Sequence, residues 1–233
     1  MITSSTALYW VIFIGIAALS WLVSSRLKSK FEKYSQVPLP GGLTGREVAE
    51  RMLRQNGIED VRVTSVDGHL TDHYDPIKKT VNLSDSVYAS NSIAAAAVAA
   101  HECGHAVQHA CAYAPLKLRS KLVPVVSFSS HVVQWVILAG MVLIKTFPQL
   151  MLIGIVMFAL TTLFSFITLP VEIDASRRAL AWLKTSGLTS RETDSMARDA
   201  LQSAAYTYVV AALGSLATLL YYILIFTSGS RRD

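Results

Sequence analysis

Four long apolar stretches constrain the fold of this chain more than any other feature. Each comes close to the roughly 20 apolar residues that a helix needs to cross the hydrocarbon core of a bilayer. They are Ala7–Val23, Leu122–Ile144, Leu150–Leu169 and Ala204–Phe226. Hydrophobic residues make up 52% of the chain and charged residues only 16%, which is unlike a soluble globular domain. The sequence therefore predicts a mainly α integral membrane protein with four transmembrane helices, at residues 1–23, 122–144, 150–169 and 204–226.

The basic residues predict the orientation of these helices. The chain has 21 Lys and Arg residues and a formal net charge of +5. With four crossings, all of them except Lys145, Arg231 and Arg232 fall on one side of the membrane. Because basic residues favour the cytoplasmic side, we expect residues 24–121 and 170–203 in the cytoplasm and both termini outside. No basic stripe is interleaved with aromatic residues, so nucleic-acid binding is not predicted.

Residues 24–121 are long enough to fold as a small α+β domain. Thr44 and Glu47 form a capping-box pattern that predicts the start of an amphipathic helix, which Gly57 would end. The segments VRVTSV and KTVNLS are typical of strands, and TDHYDP between them is typical of a turn.

Two more helices are predicted outside the membrane. The longer one would begin at Asn91 or Ser92 and run to Pro115. The shorter one would begin at a capping-box pattern formed by Thr189 and Glu192, within the second cytoplasmic segment.

The longer helix contains AAHECGHAVQHA, which carries an HExxH pattern. His101 and His105 are four residues apart, so their rings lie on one helix face within reach of one ion. Neutral imidazole suits zinc, and Glu102 is placed to take a proton from a water on that metal. The pattern therefore predicts one catalytic Zn²⁺; the alternative is a helix whose histidines only pack or hydrogen-bond.

His109 and Cys103 are less suited to the metal. His109 lies about 12 Å further along the helix than His101, and zinc bonds of about 2 Å cannot span that distance. We expect His109 at the surface or beside a ligand, and Cys103 among small core residues. A third ligand must come from elsewhere. Glu172 and Asp174 are candidates at the cytoplasmic end of the third apolar stretch, where the alternative is a solvated helix end paired with basic neighbours.

A resemblance to known families helps to choose between Glu172 and Asp174 as the third ligand. HECGHAVQHA, the following AYAPLKLRS, the upstream LTDHYDP and their spacing resemble the YugP-like family of bacterial membrane zinc metallopeptidases, over residues 42–180. More distantly, EIDASR is similar to EFEADR of HtpX-type membrane peptidases, whose glutamate is the third zinc ligand. The resemblance implies Glu172 as that ligand and the bacterial inner membrane as the location. The aspartate of the HtpX-type segment falls at Ser176 here, so Asp174 is a substitute candidate for orienting a zinc-bound histidine.

These features predict a zincin-like catalytic domain on the cytoplasmic side of the membrane. It would hydrolyse peptide bonds in a peptide or membrane-protein substrate, with zinc on His101, His105 and Glu172 and with Glu102 as the general base. Arg177, Tyr206 and His73 are open candidates for steadying the oxyanion, and a strand near the site is expected to pair with the substrate backbone.

Two alternative functions also fit the sequence, and two polar residues lie inside the second predicted membrane helix. The function alternatives are an intramembrane protease of the site-2 type and a non-enzymatic scaffold or quality-control partner with a residual zinc site. His131 and Gln134, inside the second membrane segment, are expected to hydrogen-bond between helices.

Overall fold

The chain is mainly helical with one small sheet. The computed structural model describes residues 2–229, apart from the side chains of residues 2–6, 8 and 9; Arg231 and Arg232, used above in the charge count, lie outside the described residues. The helices are α1 (Ile2–Ser35), α2 (Gly45–Gln55), α3 (Asp85–Tyr88), α4 (Ile93–Ala110), α5 (Ala114–Val142), α6 (Pro148–Thr185) and α7 (Arg191–Gly229). The strands are β1 (Arg62–Val66), β2 (His73–Asp75) and β3 (Thr80–Ser84).

Within residues 2–229, four helices are long and apolar enough to cross a membrane, as predicted. They are α5, α6, α7 and the part of α1 from Trp10 to Ser35. The described chain divides into two compact units: residues 2–22, 118–169 and 207–229 belong to the first, and residues 23–117 and 170–206 form the second. The first unit therefore holds the apolar parts of the long helices.

In the first unit, α5 and α6 approach closely at glycines. A Cβ added to Gly140 would lie 2.6 Å from the Cα of Met151, and one added to Gly154 would lie 2.7 Å from the Ile137 side chain. Small residues allow such approaches between membrane helices, where packing and hydrogen bonds replace the hydrophobic effect. A hydrogen bond of 2.7 Å between the hydroxyl groups of Thr162 and Ser215 also joins α6 to α7.

Within residues 2–229, His131 and Gln134 do not make the interhelical hydrogen bonds that the sequence predicts. Both side chains are exposed on α5, and the His131 Nδ1 bonds the Ser127 carbonyl of its own helix at 2.6 Å. Neither residue is hydrogen-bonded to another helix within residues 2–229.

In the second unit, α2 begins with the predicted capping box. The Thr44 hydroxyl accepts from the Glu47 amide, and the Glu47 carboxylate accepts from the Thr44 amide at 2.8 Å. The helix ends before Gly57, whose φ of +69° is unstrained only for a residue without a side chain. Its apolar face is buried against α4.

The sheet has the order β1-β3-β2, with β1 parallel and β2 antiparallel to β3. The prediction that TDHYDP is a turn was wrong for its centre, because His73–Asp75 forms β2 and Tyr74 pairs with Val81. The turn follows instead, where the Asp75 carboxylate accepts from the amides of Ile77 and Lys78. A polar three-residue strand has too weak a pattern to be distinguished from a turn before its partner is known.

Two predicted helix ends were also wrong. The helix α4 ends at Ala110, not Pro115, and Pro115 lies in the first turn of α5, where its missing amide hydrogen costs nothing. The second capping box is formed by Ser190 and Thr193, not Thr189 and Glu192. The helix it begins is not short, because α7 continues without a break to Gly229.

A half-buried carboxylate joins α1 to α7 within the second unit. Asp199 accepts from the Lys30 ammonium at 2.5 Å and from the Tyr34 hydroxyl at 2.6 Å. The hydrogen bond to Asp199, followed by burial, raises the pKa of Tyr34 to about 12. The same two donors lower the pKa of Asp199. The C-terminal part of α1 is therefore held to α7 by an ionic contact.

Candidate metal centre

The helix α4 forms the middle of the second unit. Ser92 begins it by accepting from the Ala95 amide, and the alanines that follow are strong helix formers. Their small side chains let α2 and the sheet pack against the helix, and most of the residues from Ile93 to Ala106 are buried. His101 and His105 thus project from a rigid, buried helix.

A glycine brings α6 against this helix. Gly104 lies between the two histidines, and a Cβ added to it would lie 2.6 Å from the carbonyl oxygen of Ala175. Ala175 is itself fully buried. The two backbones are therefore almost in contact, and Glu172 and Ser176, on either side of Ala175, are brought to the histidines.

Three donor atoms converge at this contact. Glu172 Oε2 lies 3.3 Å from His101 Nε2 and 3.5 Å from His105 Nε2, and the three ligand atoms all lie within 4.8 Å of one another. Ligands bound to one tetrahedral zinc at about 2.0–2.1 Å would be about 3.3 Å apart. The donor set and its spacing therefore fit a single zinc ion.

The charges of these groups depend on each other. Burial is the largest influence on the Glu172 carboxyl and opposes its ionisation, but hydrogen bonds from both histidines outweigh burial and lower the pKa of Glu172. Burial likewise opposes protonation of His105, while Glu172 and Glu102 favour it, so the pKa of His105 is raised. A metal cation bound between these groups would replace the imidazole protons as the positive charge that stabilises the Glu172 carboxylate.

A glutamine fixes the orientation of His105. Gln108 is fully buried, and its amide nitrogen donates to the Val171 carbonyl at 2.8 Å and to the Asp174 carboxylate at 2.9 Å. Its oxygen must then face His105, whose Nδ1 lies 3.1 Å away and acts as the donor. A proton on Nδ1 leaves the Nε2 lone pair of His105 free toward Glu172.

A serine takes the corresponding place beside His101. The Ser176 hydroxyl lies 3.0 Å from His101 Nδ1, at the position where the HtpX-type segment has an aspartate. Asp174 does not substitute for it there. The Asp174 carboxylate bonds Gln108 and the Arg178 guanidinium, the latter at 2.6 Å, so it reaches His105 only through the glutamine.

Glu102 directly follows His101 on α4 and is buried. Within residues 2–229, its carboxylate makes no hydrogen bond or ion pair with the protein. A carboxylate at this place can accept a proton from another molecule.

The other residues singled out in the sequence lie at several places in the second unit. His109 is exposed and bonds the Tyr74 hydroxyl of β2 through Nδ1 at 2.8 Å, in accord with its exclusion as a ligand. His73 bonds the Thr71 carbonyl and the Asn82 side chain. Arg177 lines a groove of about 370 Å³ between α6 and α7, together with Ser176.

Two remaining side chains differ in their surroundings. Tyr206 is 59% exposed near the end of the second unit, while Cys103 is fully buried near the Ala49 carbonyl and belongs to the core, as expected. Burial raises the pKa of the Cys103 thiol, which keeps it neutral and unsuited to metal binding.

Gln108 is the functional candidate that sequence reasoning missed. Its position three residues after His105 places it on the same helix face, which is a usable signal. Its partners Val171 and Asp174 lie on α6, however, and only the folded structure brings them to it.

The chain is similar to known proteins over most of its length. The model of the family described as "Putative neutral zinc metallopeptidase" matches residues 9–227. The chain belongs to this family. It is also 46% identical over 220 residues to "Putative membrane protease YugP" of Bacillus subtilis (strain 168), which covers 94% of this chain and 97% of that protein. No solved structure matches the chain. The predicted resemblance is therefore confirmed, and the chain is a membrane protein of a zinc-peptidase family.

Gly104→Ala tests whether the backbone contact holds the cluster together. The added methyl group would overlap the Ala175 carbonyl, so we expect the free energy of unfolding to fall by about 1–3 kcal/mol and the bound zinc to decrease. Thermal unfolding of the purified protein in detergent and its zinc content are the measurements. Gly15→Ala is the matched control, since an added Cβ meets nothing within 4 Å there. An unchanged melting temperature with full zinc in Gly104→Ala would contradict the prediction, because the backbones of α4 and α6 would then have space for the added methyl group.

Proposed function

We propose that the protein is a zinc-dependent metalloendopeptidase that hydrolyses peptide bonds of peptides or membrane proteins near the cytoplasmic membrane surface. The observation that carries this proposal is the convergence of the ligand atoms of His101, His105 and Glu172 within 4.8 Å of one another, on a helix where the buried Glu102 directly follows His101. Membership of a family described as zinc metallopeptidases supports the same conclusion.

In this proposal His101, His105 and Glu172 hold one zinc ion, which supplies Lewis-acid activation of water and of the scissile carbonyl. Glu102 accepts a proton from the attacking water while the water oxygen forms a bond to the carbonyl carbon of the substrate. The same carboxyl then delivers the proton to the amide nitrogen as the C–N bond breaks. Arg177, Tyr206 and His73 remain candidates for steadying the oxyanion.

Gln108 and Ser176 act as positioning residues. Each contacts the Nδ1 atom of one histidine and so turns the Nε2 atom toward Glu172. Such partners fix the tautomer and ring orientation of metal-binding histidines. Asp174 and Arg178 support this arrangement by holding the amide of Gln108.

The substrate is proposed to pair with β2. This strand is at the edge of the sheet, and β3 is its one hydrogen-bonded neighbour there. The bond between Tyr74 and His109 holds β2 beside α4. An extended peptide added to this edge would lie along the helix that carries Glu102.

Two observations favour this function over the alternatives. The helix α4 is not among the four apolar helices found within residues 2–229, whereas a site-2-type protease would carry HExxH inside a membrane helix. A scaffold with a structural zinc would have no use for an unpaired buried carboxylate at Glu102.

Glu102→Gln tests the general base. We expect this variant to keep its zinc and its melting temperature while peptide hydrolysis falls by about 10²–10⁴-fold, because the side chain transfers protons without binding the metal. Casein cleavage and zinc content of the purified protein in detergent are the measurements. Glu59→Gln, at an exposed glutamate outside the site, is the control and should retain activity. Full hydrolysis by Glu102→Gln would refute the mechanism.

Glu172→Gln and Asp174→Asn separate the two acidic candidates on α6. The first change replaces the carboxylate ligand by a neutral amide, which is not among the usual zinc ligands, so most of the zinc and the activity should be lost. The second leaves the three donor atoms in place, so the metal should stay bound, with at most a moderate loss of rate. Zinc content and hydrolysis are compared in parallel. The reverse pattern would transfer the ligand role to Asp174.

The location of the site is proposed from the basic residues, which place Glu102 and Glu172 in the cytoplasm with both termini outside. Single cysteines at Thr189 and Gln149, in a chain lacking the exposed Cys111, should react with a membrane-impermeant maleimide from opposite sides. Thr189 should be labelled only after the cells are opened. Labelling of both positions from the same side would mean that one of the last three membrane helices does not cross.

A further inference from the structure

One face of α5 carries polar side chains where a membrane helix normally presents apolar ones. The residues of this polar stripe are exposed in the structure: Ser127, Ser130, His131 and Gln134. On the neighbouring face of the same helix, Phe128 and Trp135 are each 69% exposed and form an ordinary lipid-facing surface. The stripe and this aromatic face lie on one helix and differ in chemistry.

The stripe lies deep in the membrane segment. Val133 is the middle residue of the apolar stretch Leu122–Ile144, so His131 and Gln134 are at the centre of the span. No water is present at that depth to hydrogen-bond polar groups. Exposure of an amide and an imidazole to lipid chains is therefore costly.

These groups are not satisfied within residues 2–229. His131 uses Nδ1 for the carbonyl of Ser127, while its Nε2 atom has no partner in that range. Gln134 makes no hydrogen bond to any described residue with either its amide nitrogen or its oxygen. The amide of Gln134 thus presents one hydrogen-bond donor group and one acceptor, both without a described partner, at a single depth in the membrane.

We propose that a second copy of this chain covers the stripe, so that the protein is a dimer through α5. Two copies share one orientation in the membrane, and a two-fold axis along the membrane normal brings identical residues together at identical depth. The side chain of Gln134 is self-complementary, because its amide can donate to the oxygen of the other copy and accept in return.

The spacing of the stripe supports a helix pair. Ser127 and Gln134 are seven residues apart, as are His131 and Leu138, which gives the seven-residue repeat of a left-handed helix pair. The serines are small enough for two backbones to approach closely. A single polar residue in such a seam commonly selects a two-stranded assembly and fixes its register.

Cysteine cross-linking in native membranes tests this proposal. Cys111 is first replaced by serine, since it is exposed, whereas Cys103 is buried. Ser127→Cys should give disulfide-linked dimers on oxidation with copper phenanthroline. Phe128→Cys, one residue further on the lipid-facing side, is the matched control and should remain monomeric. Adding Gln134→Leu to Ser127→Cys should abolish the cross-link and leave the zinc content unchanged.

Each outcome decides the proposal without reference to peptidase activity. Cross-linking of Ser127→Cys alone, lost with Gln134→Leu, supports it. The proposal is overturned if Ser127→Cys gives no cross-link, if it cross-links no more than Phe128→Cys, or if the cross-link persists undiminished with Gln134→Leu. A cross-linked product of a mass other than twice that of the chain would overturn it in favour of another membrane protein. Loss of zinc in Gln134→Leu would indicate misfolding, and the comparison of the two single cysteines would then decide.

Discussion

The close contact between the backbones of α4 and α6 is the constraint on which the candidate metal centre depends. A zinc ion requires ligand atoms about 3.3 Å apart, and two helices with ordinary side chains between them are separated by 8–10 Å between their axes. Gly104 removes the side chain at the point of contact, directly between His101 and His105. The glutamate of α6 can then reach both imidazoles while remaining buried itself.

The hydrogen bonds that hold the two histidines in place differ in strength. His105 is held by a buried chain of hydrogen bonds that runs through Gln108 to Asp174 and Arg178, and every polar atom of the glutamine amide is used. His101 is held by the hydroxyl of Ser176, a weaker and more adaptable partner. A neutral serine also adds no negative charge beside Glu172, so the site keeps a lower total charge than one with an aspartate there.

The sequence predicted those features that depend on local spacing. Four apolar stretches were enough to predict the four long helices, and the interval between His101 and His105 was enough to pair them. Features that depend on a distant partner were less accessible. β2 is recognisable only once β3 is beside it, Glu172 was selected by resemblance and not by geometry, and the importance of Gln108 depends on a carbonyl of α6. Long-range contacts of this kind leave no periodic pattern in the sequence.

The separation of the ligands along the chain has a consequence for biosynthesis. His101 and Glu172 are 71 residues apart, and two apolar segments lie between them. During translation, the histidine pair leaves the ribosome well before the third ligand is made. The nascent chain therefore has only two zinc ligands until α6 has been synthesised, and the enzyme that we propose stays inactive during its own insertion. In the enzyme that we propose, this order of the elements would keep the newly made protein from cleaving its surroundings before the fold is complete.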